Sequence, residues 1–425
     1  MKKLLVLGGG IASYDVVINA KEMGIYVIAV DREDEPGISR RLADEEYQIS
    51  TTDFANLKKL IEDKNIDGVF CGPSELRLID AMNLCGEANL RFYCTKKQWD
   101  ICSDKASFKD LCRKFSVPCV PEFHLTADMS EEDLKQIRYP VIVKPVDGCS
   151  SAGMTVCWDE MQLKLAIPLA ISASRTKHFI VEKYVTSDYG FGCRYIANKG
   201  EIYLSATNDR YTVDTVGGKA LISCAAIFPS KKTDYFMENI NINIINMFKS
   251  IGIENGTLFM QALYDYDDDE IYFHEMGLRL SGGLIYPMLE AACGYNDLKM
   301  MLRFAVGGEM ATEDELLKID PYMNGKFVGS LCIPLKSGKI DKIMGMDTIT
   351  NDDAVISCTQ YYHEGDMIEK EKLGTLGQHF CRFKIMTNSE EEYKNKIKWI
   401  QEVLEIRNSD NEDMIYRHFD IDRMK

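Results

Sequence analysis

No stretch of this sequence approaches the roughly 20 apolar residues that a bilayer-spanning helix needs. Its opening, Met1-Lys2-Lys3 running into "LLVLGGG", reads as a strand and a turn, without the longer apolar region of a secretory leader. Basic residues are in deficit. The 50 Lys and Arg stand against 66 Asp and Glu, a formal charge of −16, which argues against nucleic acid as the main partner. The six histidines are isolated, with no HxxxH or HxH spacing, so no zinc site is expected. The 14 cysteines are scattered and contain no CxxC pair, which excludes a disulfide-dense scaffold. Cys71, Cys112, Cys224 and Cys332 lie in apolar surroundings, as free buried thiols do. "GxSxG" is missing, and with it the nucleophile elbow of the hydrolases that use one. No internal repeat or low-complexity linker stands out. These absences leave a globular protein of a reduced, cytoplasmic compartment, with neither nucleic acid nor membrane as partner.

What is present is a chain of 425 residues, long enough for two to four domains. Strands and helices alternate up to about residue 95: "KLLVLGG", a helix "SYDVVINAKEMG", "IYVIAVD", a helix "DFANLKKLIEDKN" with Asp53 as N-cap, "IDGVFCG", a helix over 76–84, and "RFYC". Such alternation predicts an α/β fold with a doubly wound parallel sheet. The turn "GGGIAS" has two of the three glycines of a dinucleotide fingerprint, with Ser13 in place of the third, and Asp31 ends the second strand. A degenerate glycine turn more often only shapes the strand-to-helix corner, and Asp31 can equally cap a loop. "SDKASFKDLCRKF" reads as a helix that Val117-Pro118 ends, followed by "YPVIVKP", "GMTVCW", "HFIVEKYV" and "GCRYIANKGEIYLSATN" as strands. A helix "TDYFMENININIINMFKSIG" and a strand-rich segment near 325–390 come next. A last helix, "SEEEYKNKIKWIQEVLEI", carries an acidic tail expected to be mobile.

Three short elements could carry chemistry. In "YPVIVKPVDGCSSAGMTV" a strand ends in Lys144 and a loop of small residues follows. A partly desolvated ammonium beside backbone N–H groups and the Ser150 and Ser151 hydroxyls suits a triphosphate, although a surface hairpin with a snorkelling lysine reads equally well from this stretch alone. In "FIVEKYV" the extended run through Glu182, Lys183, Tyr184 and Val185 could offer backbone groups to an adenine edge, or be a plain strand. In "FHEMGLRLSGG" Glu275 stands four residues before Arg279, ahead of Ser281, Gly282 and Gly283. That pair is either a structural ion pair or a hard oxygen ligand beside a phosphate-binding fork. His274, next to Glu275 on a strand, is expected to point to the opposite face.

In this order the three elements resemble the ATP-grasp superfamily, in its carboxylate–amine ligase branch, close to the large subunit of carbamoyl phosphate synthetase and to biotin carboxylase. The resemblance covers about residues 3 to 390. It implies an N-terminal doubly wound domain over 1–98, an ATP-grasp fold over 99–310 with 139–190 as its small lid subdomain, and an α+β C-terminal part over 311–425. It implies ATP and magnesium as cofactors. ATP would be held by Lys105, Lys144, the covering loop with Ser150, Ser151, Gly153 and Met154, and the hinge Glu182, Lys183, Tyr184 and Val185. The family's ribose acid falls on Tyr189, so Asp188 would serve with a shift of one residue. Glu275 and Gln261 match metal ligands, with Asp265 a rival to Gln261. Where the family has Asn, this chain has Gly277. Arg279 matches the family arginine and, with Lys144, is the expected catalytic group. Ser281, Gly282, Gly283 and Arg210 would bind substrate, and the "GPSE" turn at residues 72–75 would face the same cleft.

The reaction so implied activates a small-molecule carboxylate as an acyl phosphate and joins it to an amine, with release of ADP and phosphate. Alternatives are a carboxylase or carbamoyl-phosphate-synthetase-like enzyme that uses bicarbonate, a non-catalytic nucleotide-binding regulator, and a dehydrogenase using Gly8, Gly10 and Asp31. A homodimer is the default assembly.

Overall fold

A computed structural model describes residues 1–125, 129–146, 153–187, 189–213 and 222–424. The apolar run Leu4, Leu5, Val6 and Leu7 has no exposed surface, so helices must cover both faces of its strand. That strand, Lys3–Leu7, pairs in parallel with Tyr26–Asp31 on one side and Gly68–Phe70 on the other. Glu45–Gln48 extends the sheet beyond Tyr26–Asp31. "RFYC" is not a strand: Tyr93 and Cys94 are buried in irregular chain, and the place of a fourth strand goes to "EEYQ". Its charges conceal it from a search for apolar runs, and they suit a sheet edge.

The second layer is an eight-stranded antiparallel sheet. Its order is Glu270–Gly277, Gly256–Asp265, Tyr189–Asn198, Glu201–Val213, Ile222–Phe228, Phe327–Pro334, His379–Thr387 and Val355–Gln360. One continuous apolar core joins this sheet to the N-terminal one. A four-stranded sheet of Glu122–Phe123, Phe179–Lys183, Val141–Pro145 and Thr155–Cys157 has its own core with the helix Glu160–Ala173, built on Val141, Val143, Leu163 and Val181.

Two expectations change in the second half of the chain. The single helix expected after residue 232 is two, Thr233–Asn239 and Asn241–Ile251, which meet at Ile240. The acidic tail is packed: Met414, Ile415, Phe419 and Met424 are buried, and the Arg423 guanidinium donates to the Thr212 carbonyl at 2.9 Å. Apolar residues spaced through an acidic segment were the signal. Among the described residues no helix is long and apolar enough to cross a membrane.

Candidate active site

The alternation of Val141–Pro145 turns Val141 and Val143 into the small core and leaves Ile142 and Lys144 on the other face. Glu182 stands opposite Ile142 on the paired strand, so Lys144 and Glu182 are diagonal neighbours on that face. The Lys144 ammonium donates to Glu182 Oε2 at 2.5 Å. Glu182 also stands directly opposite Glu122, an arrangement of like charges that would be repulsive alone. Lys109 resolves it. Its buried ammonium contacts Glu182 Oε1, lies 3.3 Å from Glu122, and donates to the Val120 carbonyl at 3.2 Å. Burial by itself would raise the Glu182 pKa, but Lys144 and then Lys109 outweigh it and hold the carboxyl below its ordinary value.

No motif in the sequence marks Lys109, which is buried beside Phe108 and Cys112 on the apolar face of its helix. A lysine beside that face, one turn after Lys105, was the available signal. The helix itself forms as expected over Lys105–Lys114, with Asp104 capping the Ser107 amide at 2.7 Å.

The other half of the site lies on the edge of the large sheet. Gln261 pairs directly with Glu275, and Ala262 with Phe273, so His274 is the extra residue of a β-bulge. The bulge overturns the expectation that His274 faces away from Glu275. Its imidazole feels Arg210, Lys144 and Glu182, while Glu275 feels Arg279, Glu75, Arg210 and Lys105. Burial, with Arg210 and Lys144 next, pushes His274 down to about 3, so it is neutral. Glu275 lies deep in the fold with a small opening to the surface, and burial raises its pKa against the pull of Arg279. Among the described residues no hydrogen bond or ion pair engages its carboxylate.

Arg279 pairs with Glu75 rather than Glu275: Nη2 lies 2.6 Å from Glu75 Oε1 and Nε 3.2 Å from the same oxygen. Glu75 opens the helix Glu75–Glu87, which brings the "GPSE" turn to this cleft. The Arg279 guanidinium also lies over the Phe259 ring, 4.8 Å from its centre. That ring explains Gly277, since a Cβ there would sit 2.4 Å from Phe259 Cε1 and Cζ. Where the resemblance implies an asparagine, this chain leaves space for an aromatic shelf under the arginine.

Arg210 is enclosed, and its Nε has no hydrogen-bond partner among the described residues. Ser281 Oγ accepts from Arg194 Nε at 3.2 Å, and the Gly282 and Gly283 carbonyls accept from Arg382 Nη1 at 3.1 and 3.3 Å. The loop expected to bind substrate is therefore pinned by two arginines that no motif marked. Asp265, the rival metal ligand, is committed elsewhere: it lies 2.7 Å from the Lys183 ammonium and accepts from the Asp267 amide at 2.9 Å. Asp31 accepts from the Gly9 amide at 2.7 Å and lies 3.4 Å from Arg77, whose guanidinium fills the space beside Gly8. Gly8 and Gly9 are thus packed against Arg77, Arg40 and Asp31, while Gly10 borders open space.

Lys105 belongs to the Glu275 cluster electrostatically. Tyr184 packs edge-on against Trp158, Val185 is buried, and Gly153 takes φ +73 against Ala173. Met154 leads into the strand Thr155–Cys157. Ser150, Ser151 and Asp188 lie outside the described residues. No cluster of three or more His, Cys, Asp or Glu that could hold a metal occurs among the described residues. The donors that fit magnesium are the Glu275 oxygens, unpartnered among the described residues, and the amide oxygen of Gln261 on the paired strand, a set that leaves the remaining positions to water or phosphate oxygens.

A doubly wound sheet, a large antiparallel sheet with Glu275 and Arg279 at its edge, and a small sheet presenting Lys144 together make an ATP-grasp fold. Residues 104–313 match the family of the carbamoyl-phosphate synthase L chain, ATP binding domain. The formate-dependent phosphoribosylglycinamide formyltransferase of Prochlorococcus marinus is 29% identical over 196 residues, which are 45% of this chain and 49% of that protein. The chain thus spans about half the length of the first curated relatives it matches. Biotin carboxylase 1 of Bacillus subtilis is 25% identical over 348 residues, 76% of this chain and 74% of that one. The biotin carboxylase domain of Hydrogenobacter thermophilus 2-oxoglutarate carboxylase, solved with MgADP, ADP and bicarbonate, superposes with TM-score 0.77. It covers 95% of this chain and 90% of its own, at 20% identity, a likeness of fold.

Proposed function

We propose that this protein is an ATP-dependent ligase that joins a small-molecule carboxylate to an amine. The observation that carries the reading is the direct opposition of Gln261 and Glu275 across paired strands, beside Arg210 and Arg279. Two oxygen donors next to enclosed cations are what a metal-bound triphosphate and a second anion require at one place. The substrate carboxylate oxygen bonds to the γ-phosphorus as the bridge to ADP breaks. The amine then attacks the acyl carbon, the carbon–oxygen bond breaks, and phosphate leaves with that oxygen. The amine's proton passes to a base or to water.

The physical difficulty is bringing one anion to another. Lys144 and Lys105 would face the phosphates, and Arg279 and Arg210 the incoming carboxylate. Magnesium held by Glu275 and Gln261 supplies further charge neutralisation when bound. Glu182, Lys183, Tyr184 and Val185 would form the adenine hinge, with Ser150, Ser151, Gly153 and Met154 over the phosphates and Asp188 near the ribose. Ser281, Gly282 and Gly283 would line the carboxylate side. A homodimer is the proposed assembly and the cytoplasm the proposed compartment.

A second reading, with bicarbonate as the phosphate acceptor, is favoured by the match to biotin carboxylase over 76% of this chain. Both are tested by following ADP and phosphate from Mg-ATP with pools of carboxylates and amines, with and without bicarbonate. Release that needs both a carboxylate and an amine is expected. Release that needs bicarbonate alone moves the protein to the carboxylases. No release with intact ATP binding would make it a regulator.

A further inference from the structure

Lys109 is at once among the most buried cations of the chain and unassigned by any motif. Its side chain is 4% exposed, as is that of Glu182, against 17% for Lys144. We propose that Lys109 is a positioning residue for the nucleotide: by holding one oxygen of Glu182 it leaves Lys144 free to turn from that carboxylate to the phosphates.

The geometry divides the carboxylate between two cations. Lys109 meets Oε1 and Lys144 meets Oε2 at 2.5 Å. A buried carboxylate cannot be left without a counter-ion. Were Lys144 its only partner, moving the ammonium toward a phosphate would strand the charge, and the nucleotide would have to compete with Glu182 for it. Lys109 cannot turn the same way, because Glu122 and the Val120 carbonyl hold it from the other side. Glu122 in turn keeps Arg113 at 2.9 Å, so it does not depend on Lys109 alone. Lys109 thus acts as the resident counter-ion and Lys144 as the mobile one. Both reach the same carboxylate from different elements, Lys109 from the helix Lys105–Lys114 and Lys144 from the strand Val141–Pro145.

This rests on the reading of Lys144 as a nucleotide ligand, and the test separates the two. Mg-ADP binding is measured by calorimetry on the full chain, with folding of each variant checked by circular dichroism. Lys109→Met is expected to weaken binding at least tenfold, because Glu182 then claims Lys144. In a Glu182→Gln background the same change is expected to alter affinity less than threefold, since no carboxylate remains to compete. Lys109→Arg, which keeps the counter-charge, stays within threefold of the natural protein. A purely structural lysine would show no such dependence on Glu182. If Lys109→Met does not fold, Lys109→Gln is titrated with the same threshold. A folded Lys109 variant that binds Mg-ADP normally, or that loses the same factor in both backgrounds, overturns the proposal. Lys144→Ala is the control: if it too binds normally, the nucleotide site is misplaced. If it alone weakens binding, only the role of Lys109 falls.

Discussion

Replacing Glu275 by glutamine should stabilise the metal-free protein while removing its response to magnesium. The side chain keeps its shape, so the change isolates the charge. An unpartnered buried acceptor costs about 1–3 kcal/mol, and the opening to the surface together with Arg279 places Glu275 near the lower end, about 1 kcal/mol. The sign follows from its titration. Burial raises the folded pKa above the ordinary 4.5. The protein's relative stability is therefore fully present below about pH 4.5 and is lost as pH rises through the folded value. Glutamine does not titrate, so the variant's advantage opens as pH rises. Urea unfolding followed by tryptophan fluorescence should show midpoints that coincide near pH 4 and differ by roughly 0.3 M at pH 8, taking about 3 kcal/mol per molar for the slope. Magnesium with ADP at 100 times its dissociation constant adds about 2.7 kcal/mol to the natural protein, and the variant should lose most of it. A less stable variant at pH 8, or one that magnesium and ADP stabilise equally, would refute the assignment of Glu275 as an unpaired acid awaiting a cation.

Gly277→Ala should destabilise by about 1–3 kcal/mol, because the added methyl meets the Phe259 ring. Phe259→Leu should recover most of that loss in thermal unfolding, and additivity of the two changes would show that they are not coupled. His274 has a folded pKa pushed down to about 3, mainly by burial, below its ordinary 6.5. Its contribution to stability is present above about pH 6.5 and is lost as pH falls toward 3. His274→Gln should therefore flatten the acid limb of the stability curve, and the His274 ring signal should not titrate over about pH 5–8 in magnetic resonance spectra.

The fold was legible where local pattern and tertiary role agree. Buried runs such as Leu4–Leu7 and amphipathic helices such as Phe54–Lys64 announce themselves by period, and the order of Lys144, Glu182, Glu275 and Arg279 announces the cleft. What escaped was set by pairing. The edge strand "EEYQ" has no apolar alternation, the bulge at His274 depends on its register against Gln261 and Ala262, and the tail's order depends on where Phe419 and Met424 land. The cations Lys109, Arg194 and Arg382 act through contacts 11 to 100 residues away in sequence, with Val120 O, Ser281 and Gly282 as partners. Gly277 read as a lost ligand. Only the Phe259 ring shows what took its place.

The central claim is that a carboxylate oxygen attacks phosphorus. With a carboxylate labelled in both oxygens with oxygen-18, the amine and Mg-ATP, mass spectrometry of the released phosphate tests it directly. One labelled oxygen should appear in each phosphate, with ADP as the nucleotide product and the other label retained in the amide. Labelled AMP, or phosphate carrying no label while amide forms, would contradict the acyl-phosphate route.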